Sequence, residues 1–251
     1  FDREITNVLA LQSEIAQTIV GDIRVAVTPQ EVKALSRTRS VNPEAYEAYL
    51  RGRFFSRGST EEGLKKALAS FQRSIEIDST FADAYGGLAG VYTNLALYGI
   101  QAPDVAYPKA RIAALKALDL DETSVAGHTA LATIMYQFDW KWAEAENEYE
   151  RAISLNPSGG AHMMYGIYLT NMGRYDEAFS RARRALELNS VSPGAYLGLG
   201  FVLYYARRHD ESIAQLRKAL ELDSTFGNAY MSLGLNYAQK RMYAEAVAAC
   251  N

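Results

Sequence analysis

The chain has 251 residues, with 26 Lys and Arg against 29 Asp and Glu, a formal net charge of −3. That balance gives no electrostatic hold on nucleic acid or an anionic membrane surface. No apolar run approaches the roughly 18 residues of a spanning helix, and the one cysteine, Cys250, excludes an internal disulfide.

The chain carries 17 tyrosines but only 6 prolines, and alanine recurs every few residues. Small residues let helices approach closely and large aromatics fill the space beside them, which predicts stacked helices. The first residue is Phe1, with no methionine, charged leader or cleavage site before it, so the chain reads as a piece of something longer. Its compartment, cytoplasm or periplasm, stays open.

From Glu4 to Ile23 the apolar residues Ile5, Val8, Leu9, Ile15, Ile19, Val20 and Ile23 form a helical stripe. Thr28-Pro29-Gln30-Glu31 reads as a capping box with proline at the first helical position. Residues 1–42 are therefore expected to be a helical segment that caps the array or pairs with another copy. Asn42-Pro43-Glu44 caps the first helix of the array itself.

From there the chain repeats. A small residue recurs at Ala67, Ala110, Ala145, Ala178, Ser212 and Ala246, with successive spacings of 43, 35, 33, 34 and 34 by subtraction. Seven residues later, on the same helix face, stand Ser74, Ala117, Ala152, Ala185 and Ala219. Acidic or turn-forming ends follow, as in Ile77-Asp78, Leu120-Asp121, Asn156-Pro157, Leu188-Asn189 and Leu222-Asp223. Leu88, Leu131, Tyr165, Leu199 and Leu233 are placed to fill the gap between paired helices, and Gly173 suits a left-handed turn between them. The first unit is lengthened at Arg57–Gly63. In the second, Leu97 to Asp104 is expected to be an extended loop, within 93–109, broken by Pro103.

Around Ala178 the chain reads Tyr165-Gly166, Asn171-Met172-Gly173-Arg174-Tyr175-Asp176-Glu177-Ala178, then Ala182 and Ala185-Leu186-Glu187-Leu188-Asn189. Around Ala246 it reads Tyr230, Leu233-Gly234, Tyr237 and Ala246. These segments resemble the tetratricopeptide (TPR) signature. The resemblance implies an all-α, right-handed superhelical solenoid of antiparallel helix pairs. Its units fall at about 43–81, 82–124, 125–158, 159–192 and 193–226, with a truncated sixth at 227–251. Phe1-Asp2-Arg3-Glu4, Ala10–Ala16, Arg51-Gly52-Arg53-Phe54-Phe55 and Phe138–Ala145 are similar to the TPR region of large bacterial signalling proteins. That likeness implies fusion to a winged-helix regulator, a serine/threonine kinase or a nucleotide cyclase, none of which lies within these residues.

No chemistry stands out. His128 and His162 occupy the fourth position of a unit, where an aromatic packs, and His209 falls in an expected turn. No zinc, thiol or phosphate-loop motif is present, so no catalytic residue, metal or cofactor is assigned. Gly86-Gly87 and Gly198-x-Gly200 lie inside helices and favour close packing. In the resembled fold the first helix of each pair lines the concave face. The groove would then be Asn94, Thr133, Gln137, Met163, Ile167, Asn171, Leu197, Phe201, Tyr204, Tyr205, Met231 and Leu235. The Lys and Asn clamp of chaperone-tail binders is missing: its positions carry Gly86, Gly90, Thr129, Thr133, Met163, Ile167, Leu197 and Phe201. A scaffold that binds a peptide or helix through apolar anchors is expected, with self-association into a homo-oligomer as the alternative. Neither nucleic-acid binding nor membrane insertion is expected of this chain.

Overall fold

The structure, a computed structural model, describes residues 41–58 and 60–250. The expected helical segment 1–42 therefore lies outside the described residues, except for Val41 and Asn42. Twelve α-helices and no strand are found among the described residues. They are α1 (Pro43–Phe55), α2 (Glu61–Ile77), α3 (Ala82–Leu97), α4 (Pro103–Leu120), α5 (Val125–Ile134) and α6 (Trp142–Leu155), then α7 (Gly159–Asn171), α8 (Tyr175–Leu188), α9 (Pro193–Tyr205), α10 (His209–Leu222), α11 (Gly227–Gln239) and α12 (Tyr243–Cys250).

Each odd-numbered helix packs on the even-numbered helix that follows it, and also on the odd helix of the next hairpin. Even helices meet one another far less, so the stack curves with the odd helices inside. The result is a TPR-type solenoid.

The ends of the helices are written locally. The side chains of Asn42, Thr60, Ser124, Ser158 and Ser192 each accept from a backbone N–H of the first turn that follows. At the other end, Asp78, Asp121 and Asp223 turn the chain. Each Oδ1 accepts from both the amide and the hydroxyl of the threonine two residues on, at 2.6–3.1 Å. These bonds favour the charged carboxylate; the hydroxyl of Thr80 for Asp78, and that of Thr225 for Asp223, is the first cause of a lowered pKa.

Between the two helices of a hairpin the chain passes through the left-handed region at Gly99, Gly173, Arg207 and Arg241. The next amide bonds the carbonyl five residues back, at 2.8–2.9 Å, in each case. The third hairpin differs. Its inner helix ends in a π turn over Met135–Asp139, and the amide of Lys141 reaches the carbonyl of Met135, one residue farther. That inserted residue accounts for the 35-residue spacing. Trp140 takes the left-handed position there, at φ 61°, and is 72% exposed.

The recurrent small residues sit where the register put them. Ala67, Ala110, Ala145, Ala178 and Ser212 are fully buried, as are Ser74, Ala117, Ala152 and Ala219. Where serine replaces alanine, its hydroxyl is satisfied: Ser74 donates to the carbonyl of Ala45 and Ser212 to that of Gly200, both at 2.7 Å. The expected gap-fillers Leu131, Tyr165, Leu199 and Leu233 are buried too, and Leu88 packs at the edge of two core clusters.

Two expectations fail. The loop expected within 93–109 is mostly helical: α3 runs through Leu97, α4 starts at Pro103, and only residues 98–102 lie between. The additional residues lengthen both helices, to 16 and 18 residues against 13 and 14 in α7 and α8. Proline at the first position starts a helix here instead of breaking one. The lengthened α4 then meets the π turn: Arg111 pairs with both oxygens of Asp139 at 2.6 Å, and Phe138 stacks on Tyr107 at 5.0 Å. His209 is the other miss. It opens α10, and its Nδ1 lies 3.1 Å from Oδ1 of the buried Asn236.

His128 and His162 are packed, the first with Nδ1 2.6 Å from a Glu148 oxygen. His162 is only 5% exposed; burial first, then Arg181 and Arg184, push its pKa down. The folded state thus binds its proton less readily than the unfolded chain. Stability present above the ordinary histidine value of about 6.5 falls as pH drops through it. His162→Phe should lose less stability than the parent between about pH 7.5 and pH 5, which thermal melts at both pH values will show.

A Cβ on Gly86 would stand 2.5 Å from Cβ of Ala126, where α3 crosses α5, whereas one on Gly90 would meet nothing within 4 Å. Urea melts should therefore separate them. Gly86→Ala loses about 1–3 kcal/mol through overpacking, while Gly90→Ala gains about 0.5–1 kcal/mol of helix propensity.

Candidate functional site: the concave groove

The odd helices turn one side toward the interior of the curve. A cavity of about 1080 Å³ runs along that side, walled by α1, α3, α5 and α7 and by the turns that lead into them. Its floor is low where Gly90 and Gly160, on which a Cβ would meet nothing within 4 Å, carry no side chain. Polar groups stand around it: Arg53, Asp83, Asn94, Asp121, Ser124, Arg151 and Asn156. Tyr49 joins the wall at one end. Burial, reinforced by the charge of Asp83, pushes its phenol up to about 12, so it stays a neutral hydrogen-bonding group.

Of the groove residues expected from register, Asn94, Thr133 and Met163 line this cavity. Thr133, however, is only 4% exposed and is part of the floor. Its hydroxyl is engaged by the carbonyl of Thr129 at 2.8 Å and by the phenol of Tyr149 at 3.0 Å. Gln137 departs further. The π turn inserts a residue ahead of it and rotates the following positions around the axis. Its Oε1 accepts from the phenol of Tyr107, on α4, at 2.7 Å.

Farther along, Ile167 and Leu197 are half-buried, and Phe201, Tyr204 and Tyr205 form an aromatic group with ring centroids 4.7 and 5.2 Å apart. Met231 and Leu235 on α11 are open to solvent, at 54% and 49%. Asn171 is tied: its amide donates to the phenol of Tyr136 one hairpin back. The same tie recurs where Gln239 donates to Tyr204 at 3.5 Å. These tyrosine–amide rungs join successive inner helices.

Sequence reasoning missed Tyr49, Arg53, Asp83, Arg151 and Asn156. The last two come from the even helix α6 and the turn after it, which the concave register did not consider. A clue did exist, since glycines at Gly86, Gly90 and Gly160 mark where inner helices carry no side chain. The curve also brings distant hairpins together. The phenol of Tyr98, in the second hairpin's turn, accepts from Asn228 at the head of α11, 130 residues on, at 3.5 Å.

Among the described residues, no group of three or more His, Cys, Asp or Glu comes together in a form that could hold a metal ion, and no helix is long and apolar enough to cross a membrane.

Comparison with known proteins agrees with this geometry. A "Putative adenylate cyclase 3" of Rhizobium meliloti (strain 1021) is 27% identical over 154 residues, 61% of this chain and 25% of that protein. The chain thus matches about a quarter of the length of that curated relative. Among solved structures, human IFIT1, as a dimer with m7Gppp-AAAA, superposes with a TM-score of 0.67 at 16% identity, covering 96% of this chain and 55% of that one. A thermophilic TPR protein of Thermus thermophilus gives a TM-score of 0.57 at 19% identity, over 81% of this chain and 99% of that one. Both speak for the fold. The family model described as tetratricopeptide repeat matches residues 141–193, 166–225 and 197–251. Residues 141–251 thus carry tetratricopeptide repeats, and hairpins stacked in the same way continue back to Pro43.

Proposed function

We propose that this array is a non-catalytic protein-binding scaffold whose concave groove takes a peptide segment, extended or helical, from a partner. The observation that carries the reading is the groove itself: a long cavity with a glycine floor, rimmed by a few polar anchors and with Met163 and Met164 on its wall. A floor without side chains admits a backbone at close range. Polar rims fix its register, and flexible methionine adapts to its side chains. All three histidines are held in packing or hydrogen bonds, which supports reading the array as a platform instead of a reaction centre.

Where this array sits in a larger protein follows from the same logic. A repeat array of this kind presents a surface and changes nothing chemically by itself. The R. meliloti relative named as a cyclase is matched over a quarter of its length. That supports reading this array as the regulatory, partner-sensing portion of a larger bacterial signalling protein.

The test uses peptides selected on the purified chain from a random displayed library. Gly90→Arg projects a side chain into open groove without disturbing helix packing, and Met163→Glu puts a charge on the same wall. Each should weaken binding of the selected peptides about tenfold or more. Lys66→Glu on α2, away from the groove, should leave binding unchanged. Binding that survives both groove variants contradicts the reading.

A further inference from the structure

The second hairpin leaves open a space that the next two close. A cavity of about 660 Å³ lies between α3 and α4, walled by Tyr85, Leu88 and Tyr92 on one side and by Ile112, Ala113 and Leu115 on the other. At about 100° per residue, its α3 wall stands opposite Asp83, Gly86 and Gly90, and the cavity shares no residue with the concave groove.

The repeat supplies its own comparison. In the third hairpin the register positions of Tyr85 and Ala113 carry His128 and Glu148, which meet at 2.6 Å. In the fourth, the positions of Leu88 and Ala113 carry Tyr165 and Arg181, with the guanidinium 4.9 Å from the ring centroid. A long side chain covers the trough there; alanine leaves it open here. The rim changes as well. At the position of Leu115 the first, third, fourth and fifth hairpins carry Gln72, Glu150, Arg183 and Arg217. At that of Ile112 they carry Ala69, Asn147, Ser180 and Ala214. Stacking therefore does not require large aliphatic side chains at these places, yet Ile112 is 72% exposed and Leu115 52%. Exposed aliphatic groups around an apolar trough mark a docking surface.

Shape and charge identify the occupant. Tyr85, Leu88 and Tyr92 stand at i, i+3 and i+7, as do Ile112, Leu115 and Asp119. Two helix ridges thus bound the trough, and a third helix sets a row of side chains between such ridges. The array itself packs α5 against α3 and α4 together. The rim is basic. Lys109 lies over the ring of Tyr92 at 5.7 Å and has no carboxylate partner among the described residues, while Lys116 holds Asp119 at 2.7 Å. A second copy docked through the same patch would set this basic rim against its own image.

We propose that the trough between α3 and α4 is a second docking surface, which takes an amphipathic helix of another protein. The apolar side of that helix faces Leu88, Ile112 and Leu115, and acidic residues along its edge meet Lys109. The surface is separate from the groove and does not depend on the peptide reading given above.

The probe is a library of helical peptides displayed on phage and selected on the purified chain, with clones that also bind Ile112→Ser/Leu115→Arg removed. That variant takes the residues of the fourth hairpin, Ser180 and Arg183, at two exposed positions. Selected sequences should carry apolar residues three and four apart, with Asp or Glu beside them. Synthetic copies, followed by fluorescence anisotropy, should bind Ala113→Arg about tenfold or more weakly. Lys109→Glu should cost about threefold, the order of one exposed ion pair, and Gly90→Arg in the groove should cost nothing. A selection that enriches no such helix, or helices that bind Lys109→Glu as well as the parent, overturns the proposal. So does light scattering in which the mass of the parent rises with concentration while Ile112→Ser/Leu115→Arg stays monomeric, because the patch then belongs to a second copy.

Discussion

The crossing within each of the first five described hairpins depends on a position where nothing larger than alanine or serine fits. Ala67, Ala110, Ala145, Ala178 and Ser212 have no exposed surface, and each stands where the second helix of a hairpin lies against the first. At α3 and α5 the requirement tightens to glycine, since even a methyl on Gly86 would collide with Ala126. Close approach brings the aromatic and leucine side chains of neighbouring hairpins into one continuous core, as where Tyr149, Tyr165 and Tyr168 meet Leu199 and Val202. Contacts between hairpins add what a single hairpin lacks, because an isolated hairpin would leave in water the apolar face that it turns to its neighbour.

That constraint explains what could be read from sequence. A small residue needed at every crossing produces a repeat in the chain, and the spacing of alanines then locates both helices of each pair. The irregular places were legible only in part. The 35-residue spacing marks an inserted residue in the third unit, but spacing alone does not say whether an insertion enters a loop or a helix. Here it enters the helix as a π turn, held by Arg111 and Tyr107 from α4. Gln137, placed by counting in steps of a regular helix, consequently faces α4. The added residues between Tyr92 and Ala110 likewise became helix, because Pro103 sits where proline starts a helix. Periodicity carries no information about such choices, which depend on what the neighbouring hairpin offers.

The groove was less legible than the fold for a related reason. Register predicts which side of a helix faces inward, and Asn94 and Met163 do line the cavity. Register cannot show that inward-facing side chains bond to one another. Tyr136 with Asn171 and Tyr204 with Gln239 use part of the concave surface to fasten the stack. The inner face therefore serves two ends. Rungs of tyrosine and amide link successive inner helices, and the glycine-floored stretch between α1 and α7 is where we propose that a ligand lies. On that proposal, a ligand lying across several inner helices would couple hairpins that otherwise meet only their neighbours.

The dependence of each hairpin on the next can be measured by hydrogen exchange, followed peptide by peptide, in Ala178→Leu. An oversized side chain at that crossing should lower amide protection in α7 and α8 and also in the adjoining pairs α5–α6 and α9–α10, leaving α1–α2 close to the parent. Loss of protection confined to α7 and α8 would mean that hairpins hold without their neighbours, and would contradict the account at its base.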